Sequence, residues 1–413
     1  MAETKRARRG CLWIVANPTG IPPMAQGVRY YALARELVKM GWTVEIIGSR
    51  RAAHAGIRER QARRQHFTQE GIGITLIRAP HTLANGPSRV AGMAIFAAMA
   101  VDPRTTKSFA RPDVVLGGTV DPLAAAAGGR LASRHKVPFI YEIRDLWPET
   151  LIRLGRLTPK HPAAKLMYRM ERSSWTQAAM VVGPLPRIPD YGIEKHLPVR
   201  PFTHVPNGVD LNEFGIPPQP PTTLIRLGYF GSHGLTDHLD VVLKAMATQQ
   251  VRDLGGSIEL NLYGTGPHKQ ALQDLAVDLQ LTNVKFHDPL PRPSVPPAMH
   301  EMAALVFPLA DNGGLYRYGA CPNKLAEYMA AGRPVILNAP FAPDPVLSAG
   351  GMLTVETCDP TAWADAICRF AQLPVADRIR LGEQNRSYAI AHSSFESIAE
   401  RLDAALLAVL AKP

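Results

Sequence analysis

The chain has 413 residues, of which 46% are hydrophobic and 20% are charged, and its formal net charge is +11. This composition excludes intrinsic disorder and predicts two or three domains, since one domain holds roughly 100–200 residues. A membrane-spanning chain is also excluded, because the longest apolar run, 90–101, is shorter than the ~20 residues that a bilayer requires.

The charge is distributed unevenly between the two halves. Up to residue 205 there are 31 Lys and Arg residues against 14 Asp and Glu residues, whereas 15 stand against 21 in the remainder. The halves therefore carry +17 and −6. This asymmetry predicts two domains with different partners, the basic one facing nucleic acid, anionic lipid or a phosphorylated substrate.

The N-terminus has a basic stretch ahead of a short apolar run that ends at Asn17-Pro18. This pattern favours a basic tail and a first buried strand over a signal peptide. The four cysteines are scattered and form no C-x-x-C pair, which predicts free thiols rather than metal ligands. We therefore expect a cytoplasmic protein.

Short apolar strands alternate with helical segments along the chain, which is typical of parallel sheets covered on both faces. In the first half, the predicted strands are 12–16, 43–47, 74–77, 114–116, 139–141 and 180–182, with helices at 28–40 and 122–134. In the second half, the predicted strands are 225–230, 258–263, 284–287, 305–308, 335–337 and 352–355, with helices at 238–247, 269–279 and 323–331. The repeated series predicts an α/β protein of two doubly wound, Rossmann-like domains.

The domain boundary is predicted in the proline-rich stretch 183–221, because prolines suit a semi-rigid hinge better than the interior of an element. We expect an N-terminal domain at 1–205, a C-terminal domain at 206–392 and a final amphipathic helix at 393–413. Ligands of doubly wound domains bind beyond the carboxyl ends of the strands, so the loops that follow strands hold the candidate residues.

The loop after the first strand is the first of these. It contains glycine and small residues and leads to a predicted helix start near Gly27. Backbone amides and the positive end of the helix would approach an anion there, and Arg29 would add a cation. A plain connection is the alternative interpretation.

The loop after the fifth strand, 141–150, is rich in charge. It holds Glu142, Arg144, Asp145 and Trp147. A cleft wall would use such groups to orient a hydroxyl-rich ligand, since buried charges otherwise need partners. The alternative is that Arg144 and Asp145 only tie the loop down.

The segment 318–337, YGACPNKLAEYMAAGRPVIL, carries the sharpest signal. Cys321 is expected at the N-cap and Pro322 at the first helical position, with Asn323 and Lys324 in the first turn. Free amides, the helix dipole and a lysine predict a pyrophosphate site, and Glu327 one turn further on suits a ribose diol. An ordinary capped helix does not explain why a lysine and a glutamate share this short stretch.

Two glycine loops complete the second half. The sequence YFGSHG follows its first strand and includes Gly231 and Ser232, and LYGTGP follows its second and includes Gly264. Each permits close approach of backbone to a ligand, and each is equally compatible with a tight turn.

These motifs together resemble a known family. The tandem domains, PNGVD at 206–210, LYGTGP, NVKFHDPLPR and above all PNKLAEYMAAGRPVI are similar to the large fourth family of retaining glycosyltransferases. Its GT-B architecture has two doubly wound domains facing across a cleft. RDLWPE and C-P-N-K resemble the bacterial branch that builds O-antigen and capsule, including transferases of fucose and N-acetylfucosamine type sugars.

The resemblance implies a nucleoside diphosphate sugar donor, expected to be a UDP-sugar, with retention at the anomeric carbon. The donor would bind the C-terminal domain, and no metal or other cofactor is expected, because cationic side chains and helix dipoles would stabilise the leaving diphosphate. The implied donor-binding residues are Glu327, Asn323, Gly231, Ser232, Gly264, Pro289 and Leu290. The implied catalytic residues are Lys324, Asp145 and Arg144, and the implied acceptor-binding residues are Gly27, Arg29, Glu142 and Trp147.

Three positions depart from the family pattern. Gly319 stands where the first glutamate of the Glu-x7-Glu motif would contact the donor sugar. The loop after the first strand of the second domain reads GSHGLTDH and lacks the usual arginine and lysine, so Lys324, His233 or an arginine from elsewhere must supply the charge. Arg144 replaces the histidine that many relatives carry before Asp145.

The expected acceptor is a saccharide, linked to a lipid diphosphate at the inner membrane face. The arginine-rich segment 50–67 and the apolar run 90–101 would hold the basic half on anionic lipid. A sugar-nucleotide 2-epimerase and a non-catalytic sugar-nucleotide-binding subunit are the alternatives. A nucleic-acid partner is not expected, since no aromatic platform is interleaved with the basic residues.

Overall fold

The computed structural model describes residues 9–21, 28–49, 63–79, 87–220, 224–310, 314, 316–341 and 344–411. The chain divides into two compact units, Met1–Pro206 with Phe395–Pro413, and Asn207–Ser394. The boundary between Pro206 and Asn207 lies one residue beyond the predicted one.

The N-terminal unit contains an eight-stranded sheet in the order β3-β4-β2-β1-β5-β6-β7-β8. Its strands are β1 (Gly10–Val15), β2 (Trp42–Ser49), β3 (Arg64–Gln69), β4 (Ile72–Ile77), β5 (Val114–Gly118), β6 (Phe139–Glu142), β7 (Met180–Gly183) and β8 (Phe202–His204). Its helices are α1 (Arg29–Lys39), α2 (Pro87–Ala100), α3 (Pro122–His135), α4 (Glu149–Arg153), α5 (Pro162–Gln177) and α6 (Ile188–Glu194). All neighbouring strands are parallel except β3 and β4.

The C-terminal unit contains a six-stranded parallel sheet in the order β11-β10-β9-β12-β13-β14. Its strands are β9 (Ile225–Phe230), β10 (Ile258–Tyr263), β11 (Val284–His287), β12 (Ala304–Phe307), β13 (Val335–Asn338) and β14 (Met352–Val355). Its helices are α7 (Leu211–Phe214), α8 (Leu239–Met246), α9 (Gln249–Arg252), α10 (Lys269–Asp278), α11 (Val295–His300), α12 (Asn323–Ala330), α13 (Pro360–Gln372) and α14 (Val375–Tyr388). The prediction of two Rossmann-like α/β domains is confirmed.

The strand β3 includes the end of the arginine-rich segment 50–67 and was not predicted. Residues 64–69 pair antiparallel with β4 as an edge strand, across a turn in which Glu70 and Gly71 have positive φ. The side chains of β3 are half-buried or exposed, so its sequence lacks the apolar run by which the other strands were predicted. Residues 50–62 lie outside the described ranges.

The proline-rich stretch 183–221 is also more structured than a hinge. It contains α6, β8 and α7. Pro189 stands in the first turn of α6, where the missing N–H costs no helical hydrogen bond. The prolines of this stretch are therefore compatible with short helices and strands. Over the described ranges, no helix is both long and apolar enough to cross a lipid bilayer.

The last helix, α15 (Phe395–Leu410), packs on the N-terminal unit. Its buried face, which includes Leu402 and Leu406, shares a hydrophobic cluster with Leu33 and Leu37 of α1. The indole N–H of Trp42 donates to Asp403 Oδ1 at 2.7 Å, and Arg9 forms an ion pair with the same carboxylate. Apolar burial and a polar anchor therefore both hold α15.

This packing is tested by a pair of neighbouring leucines. Leu406 is fully buried, whereas Leu407 is 39% exposed. We expect Leu406→Ala to lower the free energy of unfolding of the N-terminal unit by about 2–5 kcal/mol, because a buried cavity remains. Leu407→Ala should change it by no more than about 0.5 kcal/mol. Urea unfolding followed by tryptophan fluorescence measures both, and equal midpoints for the two variants would contradict the packing.

Candidate functional site

Two glycine loops meet at the carboxyl edge of the C-terminal sheet. Gly264, which follows β10, has a φ of +144°, and a Cβ at this position would overlap the carbonyl oxygen of Gly231, which follows β9. The Gly231 N–H donates to Tyr263 O at 3.0 Å, and the His233 N–H donates to Thr265 O at 3.0 Å. Only glycine at residue 264 permits this approach, and the backbone hydrogen bonds hold it in place.

A stack of three rings supports these loops. Phe230, Tyr263 and His287 end the neighbouring strands β9, β10 and β11 and are partners in register. The ring centroids of Phe230 and Tyr263 are 4.5 Å apart, and those of Tyr263 and His287 are 4.1 Å apart, with interplanar angles of 4° and 10°. Lys269 Nζ donates to the carbonyl oxygens of Gly264 and His287 at 3.0 and 2.9 Å. These ring and backbone contacts hold the ends of the three strands together.

The helix α12 begins at Asn323, and its N-cap lies one residue later than predicted. Pro322, rather than Cys321, is the N-cap residue, because its ψ of 134° is extended and the first helical residue is Asn323. Cys321 Sγ instead accepts a hydrogen bond from the Asn207 N–H at 3.0 Å. Asn323 is exposed in the first turn, where free backbone amides and the helix dipole are concentrated.

Lys324 lies against the first glycine loop. A Cβ on Gly231 would be 2.8 Å from Lys324 Nζ, so the missing side chain makes room for the ammonium group. Nζ donates to Tyr229 Oη at 2.7 Å and to Asp237 Oδ1 at 2.6 Å. Burial lowers the pKa of Lys324, and the Asp237 carboxylate opposes that shift. Asp237 is a site residue that the sequence analysis did not single out.

Glu327 lies one turn further along α12 and is paired with an arginine. Arg292 Nη1 donates to Glu327 Oε1 at 2.6 Å, and Arg292 Nε donates to Glu213 Oε2 at 2.9 Å. Burial raises the pKa of Glu327, and Arg292 opposes that shift. Arg292 ends the motif NVKFHDPLPR, but no motif indicated its partners.

The remaining predicted donor residues belong to the same edge. Leu290 packs in the hydrophobic cluster that contains Phe230 and Leu325, whereas Pro289 and Ser232 are exposed. The structure thus brings the predicted C-terminal residues together at the ends of β9, β10 and β11 and at the start of α12. Their contacts with a donor stay a prediction.

His233 does not supply the missing positive charge. Its side chain is fully buried, and within the described part of the chain neither ring nitrogen has a hydrogen-bond partner. Burial, together with the nearby Lys269 and Lys324, lowers the pKa of His233 to about 4. The imidazole is therefore neutral at physiological pH, and Lys324 carries the charge beside the glycine loops.

In the N-terminal unit, Arg29 and Glu142 form a buried ion pair. They are 5% and 1% exposed, and Arg29 Nη2 lies 3.0 Å from Glu142 Oε1. The guanidinium also donates to the carbonyl oxygens of Val205, at 2.8 Å, and Pro206. Both side chains are buried, and contact of either one with an acceptor stays a prediction. Gly27 lies outside the described residues.

Arg144 and Asp145 are held on the end of β5. Thr119 Oγ1 accepts a hydrogen bond from the Arg144 N–H at 2.9 Å and donates to Asp145 O at 3.2 Å. The Arg144 guanidinium lies 5.8 Å from the ring centroid of Tyr30. Burial raises the pKa of Asp145, and Arg144 opposes this shift. Trp147 is half-buried in the same loop.

A polar pocket of the N-terminal unit was missed in the sequence. Asn17 Nδ2 donates to Asp121 Oδ2 at 2.6 Å, and Ser49 Oγ donates to Asn17 Oδ1. Arg89 lines the same pocket, at the carboxyl ends of β1, β2 and β5. Asn17 and Asp121 each follow a strand and precede a proline. This pattern would have indicated both as candidate site residues.

Over the described ranges, no three His, Cys, Asp or Glu side chains are grouped so that they would hold a metal ion. Metal independence of the reaction stays a prediction. The cationic groups at the candidate donor site are instead Lys324, Lys269 and Arg292.

The fold places the chain in the class of two-domain GT-B proteins. Among solved structures, it is similar to sucrose-phosphate synthase from Thermosynechococcus elongatus, with a TM-score of 0.71 and 16% identity over 98% of this chain and 100% of that chain. Anabaena Alr3699/HepE in complex with UDP matches with a TM-score of 0.65 and 14% identity, over 97% and 100%. WaaG, a glycosyltransferase involved in lipopolysaccharide biosynthesis, matches with a TM-score of 0.61 and 16% identity, over 96% and 99%. At such identities the likeness concerns the fold alone.

Two family models match most of the chain between them. A glycosyl transferase 4-like domain matches residues 25–208, and glycosyl transferases group 1 matches residues 224–372. The chain therefore belongs to the glycosyltransferases, and its group 1 match lies in the C-terminal unit. No curated protein sequence matches it.

Proposed function

We propose that this glycosyltransferase moves a sugar from a nucleoside diphosphate sugar to a lipid-linked saccharide with retention at the anomeric carbon. UDP is the expected nucleotide, and bacterial surface polysaccharide synthesis is the expected process. The observation that carries the proposal is the convergence of Gly231, Gly264, Lys324 and Glu327 at one edge of the C-terminal sheet.

The diphosphate would lie between the glycine loops and the start of α12. Gly231 and Gly264 leave room for close approach of phosphate oxygens to the backbone. The first turn of α12 adds free N–H groups and the positive end of the helix dipole. Lys324 would exchange its Asp237 partner for a phosphate oxygen, which retains a charge-assisted hydrogen bond.

The ribose would bind Glu327, whose side chain is 21% exposed. A carboxylate accepts hydrogen bonds from both hydroxyls of a diol. Pro289 and Leu290, which follow β11, would flank the base. The nucleotide would thus lie across the ends of neighbouring parallel strands, as ligands of doubly wound domains do.

The chemical step would proceed on one face of the sugar. The bond between the anomeric carbon and the diphosphate oxygen breaks while the acceptor oxygen bonds to the same face of that carbon. The acceptor proton passes to the leaving phosphate. Lys324 stabilises the charge that develops on the diphosphate, and Arg144 with Asp145 orients the acceptor hydroxyl.

Two proteins of the same fold support the proposed donor class and process. Alr3699/HepE has been solved with UDP and glucose, and WaaG acts in lipopolysaccharide biosynthesis. Both share the fold of this chain over nearly its whole length.

Attachment to the inner membrane face is supported by α2 and by charge. Val90 and Ile95 of α2 are 60% and 41% exposed, and the first 205 residues carry a net charge of +17. Each Lys or Arg near an anionic leaflet contributes about 1 kcal/mol, and exposed aliphatic side chains would add apolar contact.

Two substitutions on α12 test the donor site. Glu327→Ala should weaken binding of the cognate nucleotide roughly tenfold or more in calorimetric titrations with UDP, GDP and dTDP, because hydrogen bonds to a charged group are lost. Lys324→Met should lower kcat about 100-fold with a smaller change in the donor KM, because it acts mainly on the leaving group. Glu356→Ala, at an exposed glutamate of the same unit, is the matched control.

Wild-type kinetics in both α12 variants would place the donor elsewhere. The turnover assay also separates the alternative functions. A transferase releases nucleoside diphosphate only when an acceptor is present, whereas a 2-epimerase changes the sugar without any acceptor. A non-catalytic subunit would bind the nucleotide and turn over neither substrate.

Membrane attachment is tested by co-sedimentation with vesicles that contain 30% phosphatidylserine. Val90→Asp and Ile95→Asp should each reduce vesicle partitioning roughly tenfold, because burying one such side chain contributes about 1.5–3 kcal/mol. Ile193→Asp, at a 70% exposed position on α6, should have little effect. Equal losses in all three variants, or no binding by the wild type at low salt, would contradict attachment through α2.

A further inference from the structure

Arg292 lies between two carboxylates from different helices. Its Nη1 donates to Glu327 Oε1 on α12 at 2.6 Å. Its Nε and Nη2 both donate to Glu213 Oε2 on α7, at 2.9 and 2.5 Å. The planar guanidinium therefore joins α7 to the carboxylate that the proposed function assigns to the ribose.

The backbone around Arg292 is restricted on both sides. Prolines stand at positions 289, 291 and 293, and each fixes its own φ and removes a backbone donor. Arg292 is the first residue of the short 3₁₀ helix Arg292–Ser294, for which Pro291 is the N-cap. The backbone that carries the Arg292 side chain is therefore stiff. Because few backbone conformations are lost, the contact with Glu327 costs little conformational entropy.

The pairing occupies only one oxygen of Glu327. Within the described ranges, Oε1 accepts from Arg292, and Oε2 accepts no hydrogen bond from the protein. The side chain is 21% exposed, so Oε2 is accessible to a ligand. A charge-assisted hydrogen bond to one carboxylate oxygen restricts how the carboxylate turns about its last bond, and it thereby directs the second oxygen.

We propose that Arg292 is a positioning residue for the nucleotide donor: it orients the Glu327 carboxylate so that Oε2 accepts hydrogen bonds from the ribose diol, and Glu213 holds Arg292 in place. This inference rests on the proposed function of Glu327. It adds that recognition of ribose depends on an arginine that need not contact the nucleotide. Because Pro289 and Leu290 share the loop of Arg292, that loop would also couple the binding of base and ribose.

The test compares ribonucleotides with their 2′-deoxy counterparts. In calorimetric titrations of the full-length protein with UDP and GDP, Arg292→Met should weaken binding of the cognate ribonucleotide roughly tenfold, because a charge-assisted contact loses its orientation. Arg292→Met should change binding of the 2′-deoxy form by less than about threefold. This nucleotide lacks one of the two hydroxyls that would donate hydrogen bonds to Glu327. In transfer assays, the donor KM should rise while kcat is kept.

Three further variants sharpen the comparison. Arg292→Lys keeps the charge but not the planar fork, so it should weaken ribonucleotide binding as well, and it replaces Arg292→Met if that variant does not fold. Glu213→Gln should act in the same direction with a smaller effect. Arg226→Met is the control, because Arg226 also lies between two glutamates of this unit, at 3.9 Å from Glu259 and from Glu301.

The outcomes separate the inference from the proposed function. If Glu327→Ala leaves nucleotide affinity unchanged, the donor site itself is wrong. If Glu327→Ala weakens binding but the Arg292 variants do not, the positioning role is overturned and the donor site stands. Equal losses for ribonucleotide and 2′-deoxynucleotide in the Arg292 variants would also overturn it, because they would indicate a contact other than the ribose.

Discussion

The C-terminal site depends on the contact between two glycine loops. Gly264 approaches the carbonyl oxygen of Gly231 so closely that no other residue fits, and the backbones that follow β9 and β10 are hydrogen-bonded to each other. Lys324 fills the space beside Gly231, and its helix leads one turn later to Glu327. A larger residue at 264 would force the Gly231 backbone to move, and a larger residue at 231 would displace the Lys324 ammonium group.

Charge is used differently in the two units. In the N-terminal unit, the charges of Arg29 and Glu142 neutralise each other in the interior, and they fix the start of α1 on the end of β6. Burying an ion pair of this kind is costly unless its geometry and hydrogen bonding are good, and the two backbone acceptors at residues 205 and 206 complete it. In the C-terminal unit, the ion pairs of Lys324 and Arg292 are only partly buried. Under the proposed function, the Lys324 pair exchanges its carboxylate for a phosphate oxygen, whereas the Arg292 pair is kept.

Short strands between turn residues could be predicted from the sequence, whereas an edge strand and contacts between distant residues could not. The strands β9, β10, β11 and β14 coincide with their predicted limits, because each is a short run whose flanking loops contain turn residues. The edge strand β3 was missed because an antiparallel edge needs no apolar run. At the site, Lys324 and Glu327 could be found from their positions on one predicted helix, whereas the glycine loops became candidates only through the family resemblance. The partners of these two helix residues could not be predicted, since Asp237 and Arg292 lie 87 and 35 residues from the groups they hold, and only tertiary packing brings such pairs together.

The central claim is that a nucleoside diphosphate binds at this edge of the C-terminal sheet. The most direct measurement is backbone hydrogen exchange, followed by mass spectrometry, with and without saturating UDP, GDP or dTDP. The account predicts that the cognate nucleotide slows exchange in peptides that cover residues 230–234, 264–269 and 322–328, where backbone N–H groups would face phosphate, and leaves the strands of the N-terminal sheet unchanged. Binding with protection confined to the N-terminal unit, or no binding of any of the three nucleotides, would contradict it.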